Sequence, residues 1–152
     1  MEKDLNYKQD KDKKAINIIS LSIFICILFF ISGTVYAGSS TPEAVVTNYY
    51  NSIKAGNYNN AYTCITKKMS DGKTMEQWAA DWKKVCKAGK VEILKFSVSP
   101  ATIDGDKATV DVLLKSKDIF NPDGLEEKEI DSLVREKGIW KIDSTEILTG
   151  EE

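Results

Sequence analysis

An uninterrupted apolar run near the N-terminus constrains this chain more than any other feature. From Ala15 to Val35 the sequence is rich in Ile, Leu and Phe and contains no charged residue. At a rise of about 1.5 Å per residue, roughly 20 apolar residues cross the hydrocarbon core of a bilayer. The run is too uniformly apolar to be one stripe of an amphipathic helix. It therefore predicts a transmembrane segment over residues 15–37, preceded by a short tail (residues 1–14).

Lysines flank the apolar run on one side only, and this asymmetry predicts its orientation. Five lysines lie in residues 1–14, and Lys13 and Lys14 directly precede the run. No Lys or Arg follows until Lys54. Cytoplasmic flanks of membrane segments carry the excess of Lys and Arg, whereas acidic residues contribute little. We therefore expect a single-pass protein of the cell membrane with a cytoplasmic N-terminus and its C-terminal domain outside.

Two fates of the apolar segment agree with its sequence. Val35 and Ala37 are small residues at the spacing that signal peptidase requires for a cut after Ala37. Against cleavage, the run exceeds the 7–15 apolar residues of a typical signal peptide, so a retained anchor is favoured over a secreted product. Cys26 is preceded by Ile25 in the middle of the run, which does not fit a lipid attachment site. We interpret it as a buried apolar side chain.

The rest of the chain is long enough for one small domain. We assign residues 38–40 to a spacer, residues 41–148 to the domain and residues 149–152 to a tail. About 110 residues suffice for a single two-layer core. With 21 basic and 23 acidic residues interspersed along the chain, there is no basic stripe that would bind nucleic acid.

The first half of this domain has helical periodicity. Thr41 is positioned to cap a helix that begins at Pro42 and stops before Gly56. A second helix is predicted over residues 57–65 from the spacing of its aromatic and apolar side chains. Thr74 and Gln77 have capping-box spacing and open a third helix that ends at Gly89.

After Lys90 the apolar period changes to two, which is typical of strands with one buried face. Turn sequences begin at Asp104, Asn121 and Lys137. They separate four predicted strands: Leu94–Val98, Val110–Leu114, Glu129–Arg135 and Ile139–Ser144. Three helices followed by four strands predict an α+β fold, in which the helices pack on a curved four-stranded antiparallel sheet.

The opening and closing motifs of the domain resemble a known superfamily. They are Thr41-Pro42-Glu43, Val45-Val46, Tyr49-Tyr50, Ile53, Gly56, Tyr58, Ala61-Tyr62 and Gly138-Ile139-Trp140-Lys141-Ile142-Asp143. This pattern resembles the nuclear transport factor 2-like (cystatin-like) superfamily, in particular its bacterial extracytoplasmic branch of unknown function. The resemblance implies a cone, in which a bent sheet wraps around the first helix and encloses a cavity. It implies no single function, because such members include isomerases, dehydratases, ligand-binding modules and interaction domains.

Residue types argue against most enzyme chemistries. The chain has no histidine, the commonest general base and metal ligand at neutral pH. Its three cysteines form no CxxC pair, and no cofactor-binding or phosphate-binding motif occurs. We therefore expect no metal, no cofactor and no catalytic residue. Asp111 is the one acid considered for a pocket, and its strand alternation predicts that it faces outward.

Aromatic side chains are the candidates for lining a ligand cavity. They are Tyr50, Trp78, Trp82, Phe96 and Trp140. At helical and strand spacing such residues more often form the core, so both interpretations stand.

Cys64 and Cys86 are a candidate disulfide, because they are the only cysteine pair of the exported domain. Two free buried thiols are the equally weighted alternative. The bridge would close a loop of about 20 residues and stabilise the fold by roughly 3 kcal/mol.

Three functional hypotheses follow. The first is a non-enzymatic, membrane-anchored extracytoplasmic domain that binds a small apolar ligand or an envelope protein. The second is a cone-fold enzyme of the isomerase or dehydratase type that acts on a small apolar substrate. The third is a structural domain that forms homodimers through its open sheet face. A buried acid in an open pocket would favour the enzyme, and an exposed apolar sheet face would favour the structural domain.

Overall fold

The computed structural model describes residues 40–148, which form three helices and five strands. The helices are α1 (Pro42–Lys54), α2 (Tyr58–Tyr62) and α3 (Met75–Gly89). The strands are β1 (Glu92–Val98), β2 (Thr102–Asp104), β3 (Lys107–Lys117), β4 (Leu125–Glu136) and β5 (Ile139–Leu148). No helix within residues 40–148 has the length and apolar character needed to cross a bilayer. The predicted transmembrane segment, the cut after Ala37 and both tails lie outside the described residues.

Local capping signals define α1 and α3 as the sequence predicts. The Thr41 hydroxyl accepts a hydrogen bond from the backbone N–H of Ala44 at 3.3 Å, and Gly56 follows the helix with φ of 69°. At α3, Thr74 and Gln77 form the complete capping box. Because these interactions join neighbours in the chain, they are readable from sequence.

The second helix is shorter than predicted. We expect it over residues 57–65, but α2 ends at Tyr62. Beyond it, the carbonyl of Cys64 accepts from the backbone N–H of Ile142, and the N–H of Thr66 donates to the Ile142 carbonyl, both at 2.9 Å. A one-turn helix gains few internal hydrogen bonds, so pairing with β5 replaces further helical turns.

The sheet has five strands instead of the four that we predict. Its order is β1-β3-β4-β5, all pairs are antiparallel, and the short β2 pairs with β3 beyond the end of β1. Pro100 separates β1 from β2. The predicted strand Leu94–Val98 corresponds to β1, and β2 (Thr102–Asp104) is the additional strand. Register shifts in β1 and β4 add the local bends of a curved sheet.

Helix α1 packs across the inner face of the sheet, and apolar side chains fill most of the space between them. On α1 they include Val46 and Tyr49, and on the sheet they include Val110, Leu133 and Ile142. Trp140 is buried on the same face as Ile142, as the sequence predicts. The observed architecture is therefore the α+β cone that the motifs imply.

Candidate functional site

The inner face of β4 carries acidic residues at one end and an apolar residue at the other. Alternation places Glu129, Asp131 and Leu133 on this face, and all three are buried. On β3, Val112 and Val110 lie opposite the two acids. Apolar neighbours thus surround two carboxyl groups that lie one pleat repeat apart, at roughly 7 Å along the strand.

Asp131 is the most unusual residue of this face. It is 0% exposed, and its Oδ1 accepts a hydrogen bond from the Thr145 hydroxyl at 2.5 Å. Its Oδ2 has no hydrogen-bond partner within residues 40–148. A buried carboxylate oxygen without a donor costs free energy because it loses its hydration and gains nothing in return. In native structures such a group calls for a functional explanation.

Glu129 is the second acid of the site and takes its hydrogen bond from α1. The Tyr50 hydroxyl donates to Glu129 Oε2. The Tyr50 ring packs at 5.5 Å from the Phe96 ring and at 5.2 Å from the Tyr49 ring, measured between centroids. The acid pair therefore has an aromatic wall on one side, built from α1 and β1.

Burial shifts the ionisation of every titratable group in this cluster. Desolvation and the nearby Glu129 charge raise the pKa of Asp131 to about 6, although the Thr145 hydrogen bond and the nearby Tyr50 hydroxyl both lower it. Desolvation also raises the pKa of Glu129, while the hydrogen bond from Tyr50 opposes the shift. The same desolvation, together with the charges of Asp131 and Glu129, raises the pKa of both Tyr49 and Tyr50. Asp131 thus exchanges its proton close to neutral pH, where a proton-transfer group is most effective.

No basic side chain pairs with this acid cluster within the described part of the chain. The ion pairs there join Lys68 with Asp143, Lys73 with Asp81, Lys95 with Glu126, Lys117 with Glu92, Lys128 with Asp111, and Arg135 with Asp106. Both inner acids therefore depend on hydroxyl groups alone for compensation.

The cluster lies just below the protein surface. On β5, Ile147 pairs with Glu129 and Thr145 pairs with Asp131, which places both side chains on the inner face. Thr145 and Ile147 are nevertheless exposed, Ile147 by 51%. Thr145 is thus an exposed side chain in direct contact with the buried Asp131 carboxyl. We name the cluster of Tyr50, Phe96, Glu129, Asp131 and Thr145 the inner acid site.

Sequence reasoning identifies the wrong acid. Asp111 faces outward as predicted, where its Oδ2 pairs with the Lys128 ammonium at 2.7 Å. Our expectation that Asp111 is the only acid to consider is wrong, because Glu129 and Asp131 are the buried ones. The predicted strand over residues 129–135 contains both acids, but apolar Ile130 and Val134 alternate with them. The sequence therefore favours the opposite face of β4 as the buried one.

The five aromatic candidates do not form one cavity. Tyr50 and Phe96 belong to the inner acid site. The Trp78 and Trp82 rings pack in a tilted arrangement with centroids 5.5 Å apart and line a separate surface groove of about 250 Å³. Trp140 is 2% exposed, lies under the Arg135 guanidinium at 4.3 Å, and borders another groove of about 240 Å³.

The two domain cysteines are free thiols in the structure, so the candidate disulfide is not present. Cys64 is buried and accepts a hydrogen bond from the Asn48 amide at 3.2 Å. Cys86 is half-buried beside Tyr58, and desolvation together with this contact raises the pKa of Tyr58 to about 12. No group of three potential metal ligands occurs within residues 40–148.

Comparison with solved structures defines the class of fold. A cystatin-like domain of unknown function from Nostoc punctiforme matches with a TM-score of 0.58 at 11% identity, over 78% of this chain and 81% of its own. A putative ketosteroid isomerase from Shewanella frigidimarina matches with a TM-score of 0.51 at 17% identity, over 73% and 98% of the two chains. A Catenulispora acidiphila protein of ketosteroid isomerase-like fold, solved with trimethylamine, gives 0.52 at 15% identity, over 72% and 87%.

These neighbours share a cone, and the chain has the nuclear transport factor 2-like cone fold that its motifs predict. At such low identities the similarity extends to the fold alone. Neither a protein-family model nor a curated protein sequence matches the chain.

Proposed function

We propose that the domain binds a small ligand at the inner acid site. The observation that carries this proposal is the buried Oδ2 atom of Asp131, which has no donor within residues 40–148. An unpaired oxygen in an apolar surrounding destabilises the empty protein, and a ligand that donates to it removes that cost. A few convergent polar groups within an otherwise apolar wall are typical of small-molecule sites.

The location of the domain is part of this proposal. The apolar run of residues 15–37 and its lysine flank favour a membrane-anchored domain outside the cytoplasm. The domain would then meet its ligand in the cell envelope. An envelope protein partner and a homodimer through the sheet face remain sequence predictions alongside it.

Methyl NMR of the full chain in an uncharged maltoside detergent tests ligand binding. The Thr145 and Ile147 methyl groups report on the inner acid site, and the exposed Ile103 on β2 is the reference. A mixture of small amines, alcohols, amides and carboxylic acids should shift the Thr145 and Ile147 signals but not the Ile103 signal. The shifts should vanish in Asp131→Asn and persist in Asp111→Asn, which changes an outward acid of the same type.

Two results would overturn the proposal. In one, no compound of the mixture shifts the Thr145 or Ile147 signals. In the other, the same compounds shift them equally in Asp131→Asn and in the unchanged chain, which would place binding elsewhere.

An enzyme of the isomerase type is the second candidate, and the pKa of Asp131 favours it. A carboxyl group with a pKa of about 6 can accept a proton from carbon next to a carbonyl and return it to another carbon. Here Asp131 would be the base, and the Tyr50 hydroxyl, now bonded to Glu129, would donate to the developing oxyanion. Conversion of a β,γ-unsaturated ketone to its conjugated isomer, followed by ultraviolet absorbance, tests this. Isomerase activity that is lost in Asp131→Asn would support this candidate. An unchanged protein that is no more active than Asp131→Asn would contradict it.

A further inference from the structure

We propose that the ligand of the inner acid site is a small organic cation, an alkylammonium held by the acid pair and the neighbouring aromatic side chains. This inference rests on the proposed function and assigns its chemical class. It follows from three features of the described residues: the uncompensated charge, the unpaired oxygen and the aromatic surface.

The charge of the site is the first feature. Two carboxyl groups lie on the same face of β4 with one residue between them, and no Lys or Arg within residues 40–148 forms an ion pair with either. Outside this site, acids such as Asp111 and Asp143 pair with lysines. Two like charges in an apolar surrounding repel each other, and a bound cation attracts both. An anion would add a third negative charge, so the site selects against acids.

The polar contacts of the site also favour a donor. Oδ1 of Asp131 receives the Thr145 hydrogen bond and Oε2 of Glu129 receives the Tyr50 hydrogen bond, which leaves Asp131 Oδ2 as the unfilled acceptor. An organic ammonium compound with an N–H or O–H group offers this atom a donor, and its positive charge attracts both carboxylates. A charge-assisted hydrogen bond to a carboxylate is about twice as strong as a neutral one.

The aromatic surface beside the acids is the third feature that favours an organic cation. The Tyr50 ring contacts both the Tyr49 ring and the Phe96 ring, and Phe96 is half-buried and thus borders the accessible side. Aromatic faces attract alkylammonium groups through the ring quadrupole and through contact with their methyl groups.

A pair of probes that differ only in charge tests the inference. Choline and 3,3-dimethylbutan-1-ol have the same shape, but a quaternary nitrogen in one replaces a carbon atom in the other. Calorimetric titration at about pH 8, above the pKa of Asp131, should show choline binding at least about tenfold more tightly to the full chain in maltoside detergent. Choline affinity should fall below about pH 6, as Asp131 takes up its proton.

Variants separate this preference from general charge effects. Asp131→Asn and Glu129→Gln should each reduce the choline preference toward equal affinity, whereas Asp111→Asn should keep it. If both variants unfold, competition by potassium chloride and by 3,3-dimethylbutanoate on the unchanged chain decides. Choline binding should then persist at potassium chloride concentrations that screen surface ion pairs. The anion should not bind.

The outcomes distinguish the two proposals. Equal or tighter binding of the alcohol would overturn the cation class and leave a ligand site of another class. The cation class is also overturned if neither probe binds while other small compounds shift the Thr145 methyl signal. If no compound of any class binds at the inner acid site, the proposed function fails, and the cation inference fails with it.

Discussion

Two ends of the inner face of β4 lie at similar depth but are stabilised differently. At one end, Leu133 is 1% exposed and packs beside Ile142 and Trp140 of β5. At the other end, Asp131 is 0% exposed and has one hydroxyl donor for two oxygens. The apolar end contributes to the free energy of folding through burial, whereas the acidic end reduces it. This difference is the physical basis of the proposal that the acidic end binds a ligand.

The largest expected effect is at the apolar end. Trp140→Ala should lower the free energy of unfolding by about 3–5 kcal/mol, because it removes a buried indole and leaves a cavity. Chemical denaturation measures this, with Trp82→Ala as control because Trp82 is only half-buried on α3. A Trp140→Ala variant as stable as the parent would mean that the apolar end does not hold the fold.

At the acidic end, substitution of Asp131 should raise the free energy of unfolding rather than lower it. Protonated Asp131 is stabilised by folding because its pKa rises from 3.8 to about 6. This contribution is complete below about pH 4 and disappears as the pH rises through about 6, at a cost of roughly 3 kcal/mol. Asp131→Asn has no charge to bury, so its stability relative to the parent should increase by that amount between about pH 4 and pH 8. A constant difference across this range would contradict the assignment.

Tyr50 links the two ends, because its ring belongs to the core and its hydroxyl to the inner acid site. Tyr50→Phe keeps the ring but leaves Glu129 without its donor, at a cost of about 1–2 kcal/mol at neutral pH. The cost should shrink in acid, where Glu129 is protonated. Tyr62→Phe is the matched control, because the Tyr62 hydroxyl donates to the Lys73 carbonyl at an exposed position. Equal losses in both variants would refute a special role for the Tyr50 hydroxyl.

The smallest effect is expected on the outer face. Asp111→Asn removes only a half-exposed ion pair with Lys128 and should change stability by less than about 0.5 kcal/mol at any pH. A pH-dependent gain like that expected for Asp131→Asn would show that burial of the acid is not the cause.

Local signals make much of the fold predictable. The Thr41 cap, the capping box at Thr74 and the turn at Gly105 act between chain neighbours, and each lies where the sequence places it. The end of α2 is not predictable in this way, because the competing partner, Ile142, is about 80 residues away. The extra strand β2 escapes prediction because it has only three residues, all exposed, and therefore no alternation of apolar and polar side chains.

The candidate site is only half predictable. Tyr50 and Phe96 can be found, because large aromatic residues mark the interior in either interpretation. Glu129 and Asp131 cannot, because hydrophobicity assigns Ile130 and Val134 to the buried face of β4. The buried face of a strand is identified in a sequence by its apolar residues. An acid on that face breaks this pattern, so hydrophobic patterning does not reveal such a site.

The pH titration of the Asp131 side-chain carboxyl carbon, followed by carbon-13 NMR, tests the central claim most directly. A buried carboxyl with an unpaired oxygen should titrate with a midpoint at about pH 6. Binding of a cationic ligand should lower the Asp131 midpoint, because the cation stabilises the carboxylate. A midpoint at about 4, unchanged by every small cation tested, would show that Asp131 is already compensated and that the inner acid site is not a ligand site.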